Sequence, residues 1–194
     1  MRFLVLFILR CFFRIFYRIE VKGLENVPET GALIVAANHN SNADPPVLMS
    51  FLALRRRAHI LAKKELFSPK VLGMAFSYFG AIAVDRHAEG GDISSLKSCL
   101  KILRDGGCLA IFPEGTRAAG RKIDPKGGVA FLAAKTSARI LPVRIFNTEN
   151  FSELGKIVIM FGKPMEFDFS RAGKDYSFFS QKLMEEIFSL ETKI

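Results

Sequence analysis

The feature that most constrains this chain is a succession of short, almost wholly apolar runs separated by helix-like stretches. Residues 32–37 (ALIVAA), 81–84 (AIAV), 108–112 (CLAIF), 140–145 (ILPVRI) and 157–161 (IVIMF) carry the pattern. A strand with one wet face alternates apolar and polar residues, so unbroken apolar runs of this length predict strands covered on both faces. Segments 45–54, 93–104, 128–137 and 176–190 read as helices, and Gly106-Gly107 marks a helix stop. Strands alternating with helices predict an α/β fold with a mixed, largely parallel central sheet covered by helices. The 194 residues show no repeat, linker or low-complexity tract, so residues 19–194 are expected to form one domain.

Residues 1–18 stand apart. The uncharged stretch 3–9 is far short of the roughly 20 apolar residues that a spanning helix needs. Arg10, Arg14 and Arg18 fall where a signal peptide would have its apolar and cleavage regions. They are spaced i, i+4, i+8, so on a helix they share one face, while Phe3, Leu4, Leu6, Phe7, Phe12, Phe13 and Phe16 cover most of the rest. The expectation is an amphipathic helix lying in the lipid headgroup plane, arginines toward phosphate. The alternative is a helix docked on the core with a solvated arginine stripe.

Lys and Arg number 28 against 19 Asp and Glu, a net charge of +9. This excess favours an anionic partner such as phosphate, anionic membrane lipid or an acidic carrier. Nucleic acid is disfavoured by the lack of any recognisable binding motif, and the run 55–57 (RRR) reads as a solvated face or a lipid contact. Three unpaired-looking cysteines and three histidines exclude a disulfide scaffold and a closed structural zinc site. GxSxG and GxxxxGK[ST] are both missing, which removes a serine nucleophile elbow and a P-loop.

Polar clusters follow three of the strand-like runs, where ligands bind in open α/β sheets. They are residues 38–44 (NHNSNAD), Asp85-Arg86, and 113–117 (PEGTR). His39 is a natural base near neutral pH, and a carboxylate on its second ring nitrogen would fix its tautomer. On one continuous helix His39 and Asp44 would diverge by about 140°, so the pair requires a turn between them. Asn40-Ser41-Asn42 supplies one, and Pro45-Pro46 disfavours helical backbone at Asp44. Alternatively Asp44 is a helix N-cap with Pro45 at the first helical position. Gly115 permits close backbone approach to a ligand, and Arg117 carries a fork suited to phosphate. Glu114 could orient Arg117 or Arg86, or bond a substrate hydroxyl; an ordinary solvated Glu–Arg turn is the plain alternative. For Arg86 that alternative is a salt bridge with Asp85.

The order of these pieces resembles the phospholipid/glycerol acyltransferases of the 1-acylglycerol-3-phosphate acyltransferase type. The blocks begin at residues 38 (NHNSNAD), 80 (GAIAVDR), 112 (FPEGTR) and 140 (ILPV), with lesser matches at 23–28 and 64–66. Ala118 stands where the family often has Ser. The resemblance implies acyl transfer from a thioester, either acyl-CoA or acyl-carrier protein, to the sn-2 hydroxyl of lysophosphatidate, with no cofactor or metal. Carried over by position, His39 is the base and Asp44 its orienting partner. Arg86, Glu114, Gly115, Thr116 and Arg117 then belong to the acceptor side, and Pro142 shapes the site. The implied location is the cytoplasmic face of the cell membrane, peripheral or monotopic. The alternatives are another lysophospholipid or lyso-aminolipid acceptor, or a non-catalytic lipid-binding membrane protein.

Overall fold

The structure is a computed structural model and describes residues 2–85, 87–88, 91–118, 121, 123–166 and 176–192. Its centre is a seven-stranded sheet in the order β1-β7-β6-β2-β5-β3-β4. The strands are β1 (Glu20–Lys22), β2 (Leu33–Ala37), β3 (His59–Lys63), β4 (Ala81–Val84), β5 (Cys108–Ile111), β6 (Arg139–Phe146) and β7 (Val158–Phe161). Strands β6, β2, β5, β3 and β4 run parallel. β7 pairs antiparallel with β6, and β1 runs with β7, which makes the sheet mixed as expected.

The helices are α1 (Arg2–Tyr17), α2 (Asp44–Leu52), α3 (Lys70–Tyr78), α4 (Ile93–Arg104), α5 (Gly128–Thr136) and α6 (Tyr176–Ser189). β2 explains the unbroken apolar runs. Its side chains alternate between faces: Leu33, Val35 and Ala37 join a core with α1 and α2, while Ile34 and Ala36 join one with α4, α5 and α6. α4 is closed at both ends. Asp92 accepts from the Ser94 and Ser95 amides, and Gly106, at φ +74°, ends the helix with bonds from Gly106 N–H to Leu103 O and Gly107 N–H to Ile102 O. That is the Schellman arrangement, with glycine in the left-handed position. β3 and α3 were not predicted; β3 has His59 and Lys63 at its ends and only Ile60 buried, and α3 leaves most of its apolar residues exposed, so neither repeats the signal of the central strands.

α1 docks and exposes at once. Leu6, Phe13 and Tyr17 are buried against the body, whereas Leu4, Phe7, Ile8, Ile15 and Phe16 are exposed, Ile15 to 72%. The expected arginine stripe is corrected here. Arg10 shares the docked face, at helical spacing from Leu6, Phe13 and Tyr17, and its Nη1 donates to the Ser50 carbonyl at 3.0 Å. Ser50 lies in the last turn of α2, where carbonyls lack helical partners, so Arg10 caps that end. Arg18 falls beyond the helix, and Arg14 stays on it exposed. Among the described residues no helix is long and apolar enough to cross a membrane. In the basic run, Arg56 bonds the Pro28 and Gly106 carbonyls and Arg55 pairs with Glu29, which makes those two structural ties. The cysteines are unpaired; burial pushes the Cys99 and Cys108 thiols up to about 11 and about 12, leaving them inert core groups.

Candidate active site

The site begins where β2 stops. Asn38 is buried and uses its whole side-chain amide on β6: Nδ2 donates to Ile145 O at 2.9 Å, and Oδ1 accepts from Ile145 N at 2.7 Å. The amide thus continues the β2–β6 ladder by side chain as the main chain turns away. His39 follows, and the turn that the sequence required brings Asp44 back beneath it. The His39 ring stacks on Phe112, centroids 4.3 Å apart. Its Nδ1 lies 2.9 Å from Asp44 Oδ2.

Asp44 is fully buried and wholly engaged. Besides the His39 ring, Oδ2 accepts from the amides of Asn40 and Ser41, both at 2.7 Å. Oδ1 accepts from the hydroxyl of Thr148, itself fully buried. A carboxylate accepts only, so Nδ1 carries the proton and Nε2 is the nitrogen left for a ligand. Two sequence readings of Asp44 are corrected. Its backbone is helical, the first residue of α2 with Ala43 as N-cap, so Pro45-Pro46 did not force it out. Nor does it cap α2: its oxygens take amides upstream of the helix, Pro45 and Pro46 carry no N–H, and the Val47 amide donates to the Ala43 carbonyl at 3.0 Å.

The third block clamps the histidine. Glu114 Oε2 accepts from the His39 amide at 2.7 Å, and the Ala118 amide donates to the His39 carbonyl at 2.7 Å. Glu114 is 2% exposed. Burial pushes its carboxyl up to about 7; the His39 N–H opposes the rise and the nearby charge of Asp44 adds to it. Among the described residues Glu114 pairs with no arginine, so its main contact is the His39 backbone.

Gly115 has φ +68°, and a Cβ there would come within 2.9 Å of the Lys126 side chain. Glycine therefore lets the loop turn beneath Lys126. Thr116 and Arg117 are exposed on the same loop, next to the Ala118 contact. Arg86 lies outside the described residues. Asp85 is held by Lys64 at 2.5 Å. Pro142 is buried in β6 opposite Ala36. From the Val143–Phe161 pair to the Ile140–Met165 bridge, β6 runs 143 − 140 = 3 residues and its neighbour 165 − 161 = 4. The extra residue is a bulge, where an inner strand tolerates a proline.

Sequence reasoning missed Thr148, Lys126 and the clamping use of Asn38 and Glu114. A signal for Thr148 was present. Asn147-Thr148-Glu149 is a fourth polar cluster directly after a strand, at the position that drew attention to the other three.

The sequence pattern of the acyltransferase family matches residues 18–146, more than half of the chain. The chain belongs to the acyltransferase family. Among family members it is 29% identical over 182 residues to 1-acyl-sn-glycerol-3-phosphate acyltransferase of Bacillus subtilis (strain 168), covering 91% of this chain and 89% of that one. The enzyme of the same name from Borreliella burgdorferi is 33% identical over 136 residues, 69% of this chain and 53% of that protein. A chloroplastic counterpart in Arabidopsis thaliana is 30% identical over 142 residues, 72% of this chain and 39% of that protein. The chain thus spans roughly two fifths to half of the length of the plant and Borreliella relatives. The crystal structure of 1-acyl-sn-glycerophosphate acyltransferase from Thermotoga maritima superposes with a TM-score of 0.72 at 25% identity, covering 95% of this chain and 78% of that one. For this acyltransferase-family chain the mixed, mostly parallel sheet expected from the sequence is therefore also the fold of a solved relative.

Proposed function

We propose that the chain transfers a fatty acyl group from an acyl thioester to the sn-2 hydroxyl of 1-acylglycerol-3-phosphate, giving phosphatidate. The observation that carries this reading is the His39 Nδ1 to Asp44 Oδ2 bond at 2.9 Å, with Asp44 out of solvent. The names of the relatives from Bacillus, Borreliella and Thermotoga support the same acceptor.

In this reading His39 Nε2 takes the acceptor's hydroxyl proton as that oxygen attacks the thioester carbonyl carbon. Asp44 stabilises the imidazolium. The tetrahedral intermediate collapses by breaking the C–S bond, and the imidazolium returns its proton to the departing sulfur. A thiol, which ordinarily titrates near pH ~8.5, leaves with little help, so the chemistry calls for neither a serine nucleophile nor a metal. Arg117, with Arg86 by family position, holds the acceptor phosphate, and Glu114 and Gly115 set the loop that presents it. Proximity is a large part of the effect: the exposed apolar face of α1 seats the enzyme peripherally on the cytoplasmic face of the membrane that carries its acceptor. The donor is acyl-CoA or acyl-carrier protein.

The test is acyl transfer by purified protein in anionic liposomes, wild type beside His39→Ala, each given both donor types with lysophosphatidate or lysophosphatidylcholine. Phosphatidate from the wild type alone is expected. Product from lysophosphatidylcholine instead would move the acceptor to another lysophospholipid, and no product from either would overturn the reading.

A further inference from the structure

Asp44 is held unequally by its two oxygens. Oδ2 has three donors, the His39 ring and the Asn40 and Ser41 amides. Oδ1 has the Thr148 hydroxyl. Three bonds converging on one oxygen fix its position but leave the carboxylate free to swing its other oxygen around it. That swing changes the direction from which Oδ2 meets the imidazole N–H. Asp44 and Thr148 are both fully buried, so water is poorly placed to replace the hydroxyl, and a buried carboxylate oxygen without a donor is costly.

Thr148 comes from a segment that touches the histidine block three times. Ile145 takes both ends of the Asn38 amide, Thr148 reaches Asp44, and Glu149 Oε2 accepts from Asn40 Nδ2 at 3.4 Å. The turn from Thr148 to Glu153 is in turn anchored by Tyr17, which stacks on Phe151.

Resting on the acyl-transfer reading above, we propose that Thr148 is a positioning residue: it sets the plane of the Asp44 carboxylate and through it the orientation of His39. Thr148→Val keeps the shape and removes the donor, whereas Thr148→Ser keeps the donor. Thr148→Val is expected to lower kcat between about tenfold and a hundredfold, with KM for both substrates within about twofold. Thr148→Ser is expected to restore most of the rate. In the absence of substrate, the His39 Nδ1–H proton resonance should shift in Thr148→Val and return in Thr148→Ser.

Wild-type kcat with an unmoved resonance in Thr148→Val would overturn the proposal, as would a Thr148→Ser protein as impaired as Thr148→Val. Should Thr148→Val not fold, Thr148→Cys, with a weak S–H donor, takes its place; an intermediate rate is expected, and a wild-type rate overturns the idea. A wild-type protein without acyl transfer would sink the functional reading alone, since the resonance comparison still decides the role of Thr148.

Discussion

The ring of Tyr17 lies flat on that of Phe151, centroids 4.3 Å apart and planes 16° from parallel, and its phenol donates to the Phe151 carbonyl at 3.0 Å. One residue ends α1; the other sits in the turn that carries Thr148. The amide of Ile157 also donates to the Tyr17 carbonyl. The helix with the exposed apolar face is therefore fastened to the segment whose Thr148 touches Asp44.

Removing that fastening should be measurable in two steps. Tyr17→Phe loses the hydrogen bond and keeps the stack, at a cost of about 1 kcal/mol. Tyr17→Ala loses both and leaves a cavity, at about 3–5 kcal/mol. Urea unfolding followed by circular dichroism gives both values; a Tyr17→Ala protein as stable as wild type would show the contact to be incidental.

Asp44→Asn should lower kcat by roughly 10²–10⁴-fold, the usual range for a general base deprived of its function. KM for the acceptor should change little, because the residues proposed to hold its phosphate are on another loop. Steady-state kinetics with both substrates varied would check this, and a kcat within tenfold of wild type would remove Asp44 from the mechanism.

Glu114 predicts a pH dependence of stability. Its carboxyl stands near 7 when folded against an ordinary value of 4.5, so between those values the folded state holds more protons than the unfolded one. Stability then falls as pH rises through that window and levels off above it. At 1.36 kcal/mol per unit, the loss from pH 5 to pH 8 is about 2–3 kcal/mol. Glu114→Gln keeps an acceptor for the His39 amide and should lack this loss. Parallel urea-stability profiles for the two proteins would show that the rise is not realised.

Asn38→Ala should be among the most damaging single changes outside the apolar core. It strands a buried N–H and a buried C=O of Ile145 at once, at about 1–3 kcal/mol for each group. Thermal unfolding with Asn38→Asp alongside would separate loss of the donor from loss of both; an unshifted Tm in Asn38→Ala would contradict the ladder seen here.

Phe7→Ser with Ile15→Ser should weaken sedimentation with anionic liposomes without lowering Tm, because both side chains are exposed, to 55% and 72%. A buried residue of this size contributes about 1.5–3 kcal/mol, so the pair should reduce partitioning by tenfold or more. Unchanged sedimentation would move the lipid contact elsewhere.

The sheet was legible because β2, β5 and β6 sit at its centre, where both faces are covered and the sequence has no reason to alternate. β4 was legible as a strand too, but the covering on both faces expected of it is not found, since it is the sheet edge and none of its residues is buried. β3 was missed because His59 and Lys63 break its apolar run, and α3 because it keeps most of its apolar surface wet. His39 and Asp44 were legible as a pair because turn chemistry separates them. The contact that Glu114 makes was hidden: its partner is the backbone amide of His39, and backbone amides leave no mark in a sequence. Arg10 misled for a related reason. Its i, i+4 spacing with Arg14 looked like one solvent stripe, but a helix end in need of a cap claimed it first.

His39 and Asp44 are only five residues apart, yet Glu114, Ala118 and Thr148 hold them in place, and Ile145 holds Asn38 beside them. During translation the motif therefore leaves the ribosome long before it can work. The nascent protein carries its histidine and aspartate as unassembled parts until β6 and the turn after it have emerged and paired with β2. A chain broken off just before β6 would keep the first three signature blocks intact and still lack the Ile145 and Thr148 contacts that brace Asn38 and the aspartate.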